Sequence, residues 1–127
     1  MNETDRIRLQ HMLDAAREAL SFVSGRNRGD LARNRMLALS LIKEIEIIGE
    51  AATKISPEGK QSIPSSPWPE IVGMRNRLIH GYADIDLDIL WDTVTLALGP
   101  LIVELESFLN RDRASGRRAR ARRKVPL

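Results

Sequence analysis

The sequence predicts an all-α protein, built as a bundle of four to five helices. Two observations predict this fold. Hydrophobic residues make up 43% of the 127-residue chain and aromatic residues only 4%, and over long stretches the apolar positions recur every three or four residues. An aliphatic composition led by leucine and alanine favours helices, and this spacing gives each helix one apolar face. At this length we expect one domain with a core of its own.

The first helix is predicted over residues 4–24, where the apolar positions are mostly three or four apart. Thr4 is a plausible N-cap, because its hydroxyl can accept a hydrogen bond from a free backbone N–H of the first turn. Gly25 is a plausible C-cap, since glycine adopts the left-handed conformation that ends many helices.

The second helix is predicted over residues 31–55, the longest periodic run, with Asp30 as its cap. Gly49 lies deep in this run, where glycine weakens a helix by about 1 kcal/mol relative to alanine. We therefore expect another backbone to pack closely there. The opposite side carries three carboxylates, which we interpret as a solvated face or an interface rather than a metal site: Glu44, Glu46 and Glu50.

A third helix is predicted after an ordered loop over residues 56–67, which is rich in proline and serine. Ser66 can cap this helix, with Pro67 at its first helical position, and Gly81 can end it. We interpret Trp68 as a packing anchor.

The last predicted helix begins at Asp86, a plausible N-cap, and we interpret Trp91 within it as a second packing anchor. Gly99-Pro100 interrupts its apolar pattern. Because proline lacks the backbone N–H and clashes with the preceding turn, we expect a kink or a break into two helices.

The basic residues concentrate at the carboxyl end. Between Arg111 and Lys124 there are eight Lys or Arg residues and one acid, which leaves residues 1–110 with a formal charge of −4 although the chain carries +3. We therefore divide the chain into a helical domain, 1–110, and a basic, flexible tail, 111–127. Eight cations can bind RNA phosphates without sequence preference, so the tail residues Arg117 and Arg118 are candidates for RNA binding.

Several classes of protein are disfavoured by the composition. The chain has no cysteine, so disulfides and thiolate metal sites are excluded. No apolar run approaches the ~20 residues that span a bilayer. The charged amino-terminal segment does not resemble a secretory signal. We expect a cytoplasmic protein that does not enter a membrane.

The strongest functional signal is the stretch from Met74 to Tyr82. It combines two guanidinium groups, a carboxamide, an imidazole and the only tyrosine of the chain. Cleavage of RNA by attack of the 2′-hydroxyl needs a base, an acid and cations that stabilise the phosphorane charge. One such segment offers a single imidazole. Two copies related by a two-fold axis would supply two, so this chemistry suggests a homodimer with a composite cleft.

These residues also resemble a known family. Arg75-x4-His80-x-Tyr82, with Asn76 after the arginine, is similar to the Rx4-6H signature of HEPN domains, and more closely to the RX4HXY form of the HepT-like toxins of bacteria and archaea. The likeness covers nearly all of residues 1–110. Three further segments carry it: Ile45-Glu46-Ile47-Ile48-Gly49-Glu50-Ala51, Pro67-Trp68 and Asp86-Leu87-Asp88-Ile89-Leu90-Trp91.

The resemblance implies an all-α HEPN fold and a homodimeric, metal-independent endoribonuclease without a cofactor, acting on tRNA or mRNA. Arg75 and His80 carry over as catalytic residues and Asn76 as a polar helper, while Arg77 becomes a candidate for RNA binding. The family also implies a partner, a minimal nucleotidyltransferase (MNT) antitoxin of a type II/VII-style toxin–antitoxin pair. In some members that antitoxin transfers AMP to the motif tyrosine, here Tyr82, and the added charge would obstruct RNA.

Each of these residues also has a structural alternative. His80 could cap the end of a helix, where cations are favoured by the helix dipole. Arg75 could pair with Asp84 or Asp86, and Tyr82 could be half-buried. The other histidine, His11, lies among polar neighbours and is expected to be solvated.

Two other functions stay open at this point. A catalytically silent HEPN interaction module would bind and regulate a nucleotidyltransferase without cleaving RNA. A small nucleic-acid binder would work through residues 111–124, although the acidic body disfavours this.

Overall fold

The computed structural model describes the backbone of residues 1–80 and 84–123 and the side chains of residues 1–79 and 84–116. Helices predominate in this part of the chain, which confirms the predicted all-α class. The helices are α1 (Glu3–Val23), α2 (Gly29–Arg33), α3 (Arg35–Lys54), α4 (Pro57–Gln61), α5 (Trp68–Leu78), α6 (Leu87–Asp92) and α7 (Leu98–Arg123). Two short antiparallel strands, β1 (Ile79–His80) and β2 (Asp84–Ile85), follow α5, and a π-helical turn (Thr93–Ala97) joins α6 to α7.

Helix α3 lies at the centre of the bundle, between α1 and α5, and α7 packs against the other side of α1. The core between these helices is aliphatic, as the composition predicts. Its largest fully buried side chains come from every long helix: Leu9, Met12, Leu31, Leu41, Ile45, Ile48, Leu78, Leu90, Leu98, Leu105, Leu109 and Val94. Burying such side chains stabilises the fold by about 1.5–3 kcal/mol each.

Helix α1 begins slightly earlier than predicted. Asn2, not Thr4, is its N-cap, and the Asn2 side chain accepts a hydrogen bond from the backbone N–H of Asp5 at 2.7 Å. At the other end Ser24 is the C-cap, and Gly25 follows it with a φ of +72°, the left-handed conformation expected of this glycine.

The predicted second helix is divided at Asn34. The Asn34 backbone is extended, and the Asn34 side chain accepts a hydrogen bond from the Leu37 N–H at 3.1 Å, which caps α3. Asp30 is not the cap; its carboxylate accepts a hydrogen bond from the Asn27 N–H instead, at 2.8 Å. Apolar residues recur with helical spacing on both sides of this break, so the hydrophobic pattern does not reveal it.

The segment predicted as a loop contains the short helix α4, which Ser56 caps. The same serine joins α4 to α1. The buried carboxylate of Asp5 accepts hydrogen bonds from the Ser56 N–H at 3.0 Å and from its hydroxyl at 2.5 Å. Desolvation raises the pKa of Asp5, but these hydrogen bonds and the charge of Arg8 outweigh it, so the pKa lies below its ordinary value.

Helix α5 is shorter than predicted at both ends. It begins at Trp68, so Pro67 precedes it, and the buried Ser66 hydroxyl makes no capping bond. The Trp68 indole N–H donates to the backbone carbonyls of Lys60 and Ile63, which confirms this residue as a packing anchor. The helix ends at Leu78 rather than near Gly81, because the backbone becomes extended in β1.

The last predicted helix is capped by Asp86, as expected, through a hydrogen bond from the Ile89 N–H at 3.0 Å. The expected irregularity near Gly99-Pro100 takes the form of a π-helical turn at Thr93–Ala97, within a helical run that continues from α6 into α7. Pro100 has no N–H to donate to the carbonyl of Leu96, four residues earlier, and the π-helical turn lies where that hydrogen bond is missing.

Helix α7 continues past Asn110 as far as Arg123, and the division into a domain over residues 1–110 and a tail stays a prediction. Contacts between α7 and α1 explain the first part of this extension. Arg6 donates to Asp112 at 2.6 Å, and Arg113 donates to Gln10 at 3.0 Å. The flexibility of residues 111–127 stays a prediction.

Glu44 does not lie on a solvated face, the first of the two predicted surroundings, but in the contact between α3 and α1. Its side chain is 6% exposed and packs between α3 and α1, next to Glu18. Burial, together with the neighbouring Glu18 carboxyl, raises the pKa of Glu44 to about 7. A carboxyl that is protonated in the folded state up to this pH avoids the cost of burying a charge.

We expect Gly59→Ala to destabilise the fold by about 1–3 kcal/mol. A Cβ at this position would lie 2.5 Å from Asp5 Oδ2 and 2.8 Å from Ile55 Cγ2, so α4 would have to move away from α1. Urea unfolding measures the effect. Gly116→Ala is the matched control, because a Cβ there meets no atom within 4 Å. Equal stability of the two variants would contradict this account of the α1–α4 contact.

Stability should also depend on the protonation of Glu44. The pKa of its carboxyl is raised from 4.5 when free to about 7 in the fold, so the folded state binds more protons between these values. The free energy of unfolding should therefore fall as the pH rises through this window. Glu44→Gln removes this dependence, so relative to wild type it should gain stability from about pH 5 to about pH 8.

Urea unfolding of wild type, Glu44→Gln and the exposed control Glu50→Gln at both pH values checks this. A Glu44→Gln difference from wild type that is the same at both pH values would show that Glu44 is ionised throughout.

Candidate functional site

The predicted site lies on α5, and α3 determines where α5 sits. Gly49 faces the α5 backbone: a Cβ built on it would lie 3.5 Å from the Val72 carbonyl oxygen and 3.6 Å from that of Ile71. The close backbone packing predicted at Gly49 is therefore confirmed. A side chain larger than alanine would push α5 outward, so the position of the motif helix depends on this contact.

Arg75 is bound to α3 rather than to the acidic segment after the motif. Its Nε donates to Glu46 Oε1 at 2.7 Å. The structural alternative predicted a pair with Asp84 or Asp86, and the described contacts of Arg75 include neither. Asp86 caps α6 and donates its N–H to the Leu78 carbonyl at 2.7 Å. Since the guanidinium side chain is 50% exposed, part of it still faces solvent and can bind an anion.

Asn76 and Arg77 are both exposed. Arg77 donates from Nη2 to the Glu70 carbonyl oxygen, about two turns earlier on α5, at 2.9 Å. Arg75 and Arg77 are two positions apart, which on a helix is about 200° of rotation. The two cations therefore lie on opposite flanks of α5, with Asn76 between them on the outer side.

His80 lies in β1, where its backbone is paired with Asp84 of β2. The structural alternative, in which His80 ends a helix, is therefore wrong. The side chains of His80, Arg117 and Arg118 are outside the described side chains, and Tyr82 is outside the described residues. Because α5 ends at Leu78, Arg75 and His80 are not related by helical geometry.

Sequence reasoning missed Glu46 as a partner of the motif. It was assigned, with Glu44 and Glu50, to one acidic face, yet the three side chains have different surroundings. Glu44 is buried against α1, Glu46 pairs with Arg75, and Glu50 pairs with Lys54 at 3.7 Å. The one local signal is that Glu46 lies three positions before Gly49 and so on the face of α3 that packs on α5.

Other kinds of site receive no support from the described part of the chain. No group of three or more His, Asp or Glu residues is placed there to hold a metal ion. Within the same residues, no helix is long and apolar enough to cross a membrane. His11, the other histidine, is exposed, as predicted.

Comparison with protein families agrees with the motif. The family model described as "Ribonuclease HepT-like" matches residues 12–110, which is most of the chain. This chain belongs to the HepT-like family. The match begins within α1 and ends within α7, so it spans the helices that form the core as well as the motif helix α5.

Individual relatives of this HepT-like chain are similar over much of their length. The protein named putative RNase MJ1380 of Methanocaldococcus jannaschii is 36% identical over 86 residues, which cover 68% of this chain and 79% of that protein. Putative RNase TTE0752 of Caldanaerobacter subterraneus subsp. tengcongensis is 29% identical over 111 residues, 87% of this chain and 99% of that protein. Probable ribonuclease HepT of Thermococcus cleftensis is 38% identical over 65 residues, 51% of this chain and 59% of that protein. No solved structure matches the chain.

The pair between Arg75 and Glu46 can be tested without assuming an activity. Both side chains are partly exposed, so we expect a coupling free energy of only about 0.2–1 kcal/mol. A double-mutant cycle of Arg75→Gln and Glu46→Gln in urea unfolding measures it. The Glu50–Lys54 pair, with its longer separation, is the reference and should couple less. Additive effects of the two substitutions would mean that Glu46 does not hold Arg75 in solution.

Proposed function

We propose that this chain is an endoribonuclease that cleaves RNA such as tRNA or mRNA, and that Arg75, Asn76 and His80 form its catalytic site. The observation that carries the proposal is the complete RX4HXY motif in a chain that the HepT-like ribonuclease family covers from residue 12 to residue 110. The geometry of Arg75 supports it. A guanidinium that one carboxylate orients and that stays half exposed is suited to binding a phosphate.

The proposed reaction is attack of the ribose 2′-hydroxyl on the adjacent phosphorus. A base takes the 2′-hydroxyl proton, the P–O5′ bond breaks, and an acid protonates the departing 5′-oxygen. The products are a 2′,3′-cyclic phosphate and a 5′-hydroxyl. His80 serves as the proton-transfer group, Arg75 stabilises the phosphorane charge, and Asn76 contributes a polar contact.

One chain carries a single motif imidazole, whereas the reaction needs both a base and an acid. We therefore propose that the active form is a homodimer with a composite cleft. Arg77 and the tail residues Arg117 and Arg118 are proposed to bind RNA phosphates beyond the cleavage point, with an affinity that falls as salt rises.

We further propose that the protein is a toxin of a toxin–antitoxin pair and that an MNT-type nucleotidyltransferase is its antitoxin. Transfer of AMP to the Tyr82 hydroxyl would release pyrophosphate from ATP and leave a phosphodiester on the motif. That negative charge would repel the RNA backbone. The family resemblance is the support for this partner and for Tyr82 as the modified residue.

A second candidate function is the catalytically silent interaction module. One observation favours it: the Glu46 carboxylate already pairs with Arg75 at 2.7 Å, so an RNA phosphate would compete with a carboxylate for this guanidinium. In that case the motif would form a docking surface for the nucleotidyltransferase, and RNA would not be cut.

The purified protein should cleave total RNA into discrete fragments, and His80→Ala and Arg75→Ala should each slow this by about 100-fold or more. His11→Ala is the matched control, because it removes the only other histidine, which is exposed and distant in sequence from the motif. The fragments should carry 2′,3′-cyclic phosphate ends, and cleavage should persist in EDTA. Cleavage by His80→Ala at the wild-type rate, or a folded wild type that cuts no RNA, would contradict the proposal; the latter favours the silent module.

A further inference from the structure

The charges of the helical body are unevenly distributed. Residues 26–43, which include α2 and the first half of α3, carry five basic residues and one acid, a formal charge of +4. The rest of residues 1–110 carries seven basic residues and fifteen acids, a formal charge of −8. The acidic average of the body therefore includes one basic segment, which is separate in the chain from the basic carboxyl end.

Two cations of this segment are available to bind an anion. Arg33 pairs with Asp30 at 3.1 Å, whereas Arg35 and Lys43 take part in none of the ion pairs between described side chains. Both side chains are exposed. Residues 31–43 contain no acid that could neutralise them.

Helices α3 and α5 run antiparallel next to the motif. A Cβ on Gly49 would lie 3.5 Å from the Val72 carbonyl oxygen, and Glu46 Oε1 accepts a hydrogen bond from Arg75 Nε at 2.7 Å. Moving one turn back along α3 therefore corresponds to moving about one turn forward along α5. The first half of α3, which carries the basic residues, lies towards the carboxyl end of α5, where the motif is.

Arg35 and Lys43 share an exposed side of α3 with Glu46. Lys43 is three positions before Glu46, about 60° away around the helix, and Arg35 is eleven positions before it, about 20° away. Along the helix axis the two positions lie about 4.5 Å and about 16 Å from Glu46. Because Glu46 holds Arg75, the three cations follow one another along one side of the protein, on the Arg75 flank of α5.

We infer that Arg35 and Lys43 form an RNA-binding surface that positions the phosphate backbone beside Arg75. Lysine and arginine bind phosphates without sequence preference, and each neutralised phosphate releases counterions. At a spacing of about 3.4 Å per nucleotide of one strand, the span from Arg35 to Glu46 corresponds to a few nucleotides. This inference rests on the proposed function, since it names where the substrate of that site binds, but RNA binding can be measured without cleavage.

An acidic protein is the other partner that such cations could bind. Met36 and Leu39, which are 80% and 46% exposed, lie on the same half of α3 and could contact apolar side chains of a protein. The alignment with Arg75 favours RNA, because a backbone with regularly spaced charges can contact all three cations at once. A protein partner predicts that the loss of Arg35 or Lys43 leaves RNA binding unchanged.

Fluorescence anisotropy of the full chain with a labelled 2′-O-methyl RNA measures binding alone, since this RNA lacks the attacking 2′-hydroxyl. Arg35→Gln and Lys43→Gln should each weaken binding by about 5-fold at about 0.1 M salt, and each should reduce the slope of log affinity against log salt by about 0.7. Both side chains are exposed, so the urea midpoint should stay nearly unchanged.

Two further variants control for net charge and for the side chain itself. Lys54→Gln removes the same charge from the other end of α3 and should bind RNA like wild type. Lys43→Arg keeps the charge and should also bind like wild type. A wild type that does not bind the RNA, or Arg35→Gln and Lys43→Gln variants that bind like Lys54→Gln, overturns the inference.

Cleavage assays distinguish a failure of this surface from a failure of the proposed function. With a cleavable RNA, Arg35→Gln and Lys43→Gln should raise KM by about 5-fold with kcat nearly unchanged, because these cations bind RNA away from the reacting atoms. Cleavage by both variants with the wild-type KM overturns the surface alone. A wild type that binds the 2′-O-methyl RNA through Arg35 and Lys43 but cuts no RNA supports the surface and overturns the ribonuclease.

Discussion

The close approach of α3 and α5 at Gly49 is the constraint on which the rest of the site depends. Because Gly49 has no side chain, the two backbones lie close together. A Cβ at this position would already be in van der Waals contact with the α5 backbone. Glu46, three positions earlier on the same face of α3, then reaches the Arg75 guanidinium at 2.7 Å. The helical cost of a glycine, about 1 kcal/mol, is offset by the packing of α5 and by the orientation of its arginine.

The features that were predictable from the sequence are those that local chemistry determines. Asp86 caps α6 through a hydrogen bond to a residue three positions away, so its pattern is visible in a short window. Gly49 was informative because glycine weakens a helix, so its presence inside a strong helical pattern indicates close packing of another backbone. The irregularity near Gly99-Pro100 and the buried Trp68 follow from side-chain properties alone. The motif was found because its polar groups are too dense for a core.

The features that escaped prediction depend on residues far apart in the chain. Glu44 and Glu46 are separated by two positions, yet one is buried against Glu18 and the other meets Arg75. Apart from the position of Glu46 three residues before Gly49, nothing within α3 distinguishes them, since the surroundings of each come from a different helix. The division at Asn34 escaped for the opposite reason: it is local, but the apolar residues recur with helical spacing on both sides of it, so the hydrophobic pattern does not mark the cap.

The two flanks of α5 have different surroundings. Its two arginines lie about 200° apart. Arg75, on one flank, is bound to Glu46 of the central helix α3, so α3 orients this guanidinium. Arg77, on the other flank, donates to the Glu70 carbonyl oxygen of its own helix. The cation that is proposed to bind a phosphate is therefore oriented within one copy of the chain, before any contact with RNA. Orienting a binding group in advance lowers the entropic cost of forming a complex, because less side-chain freedom is lost on binding.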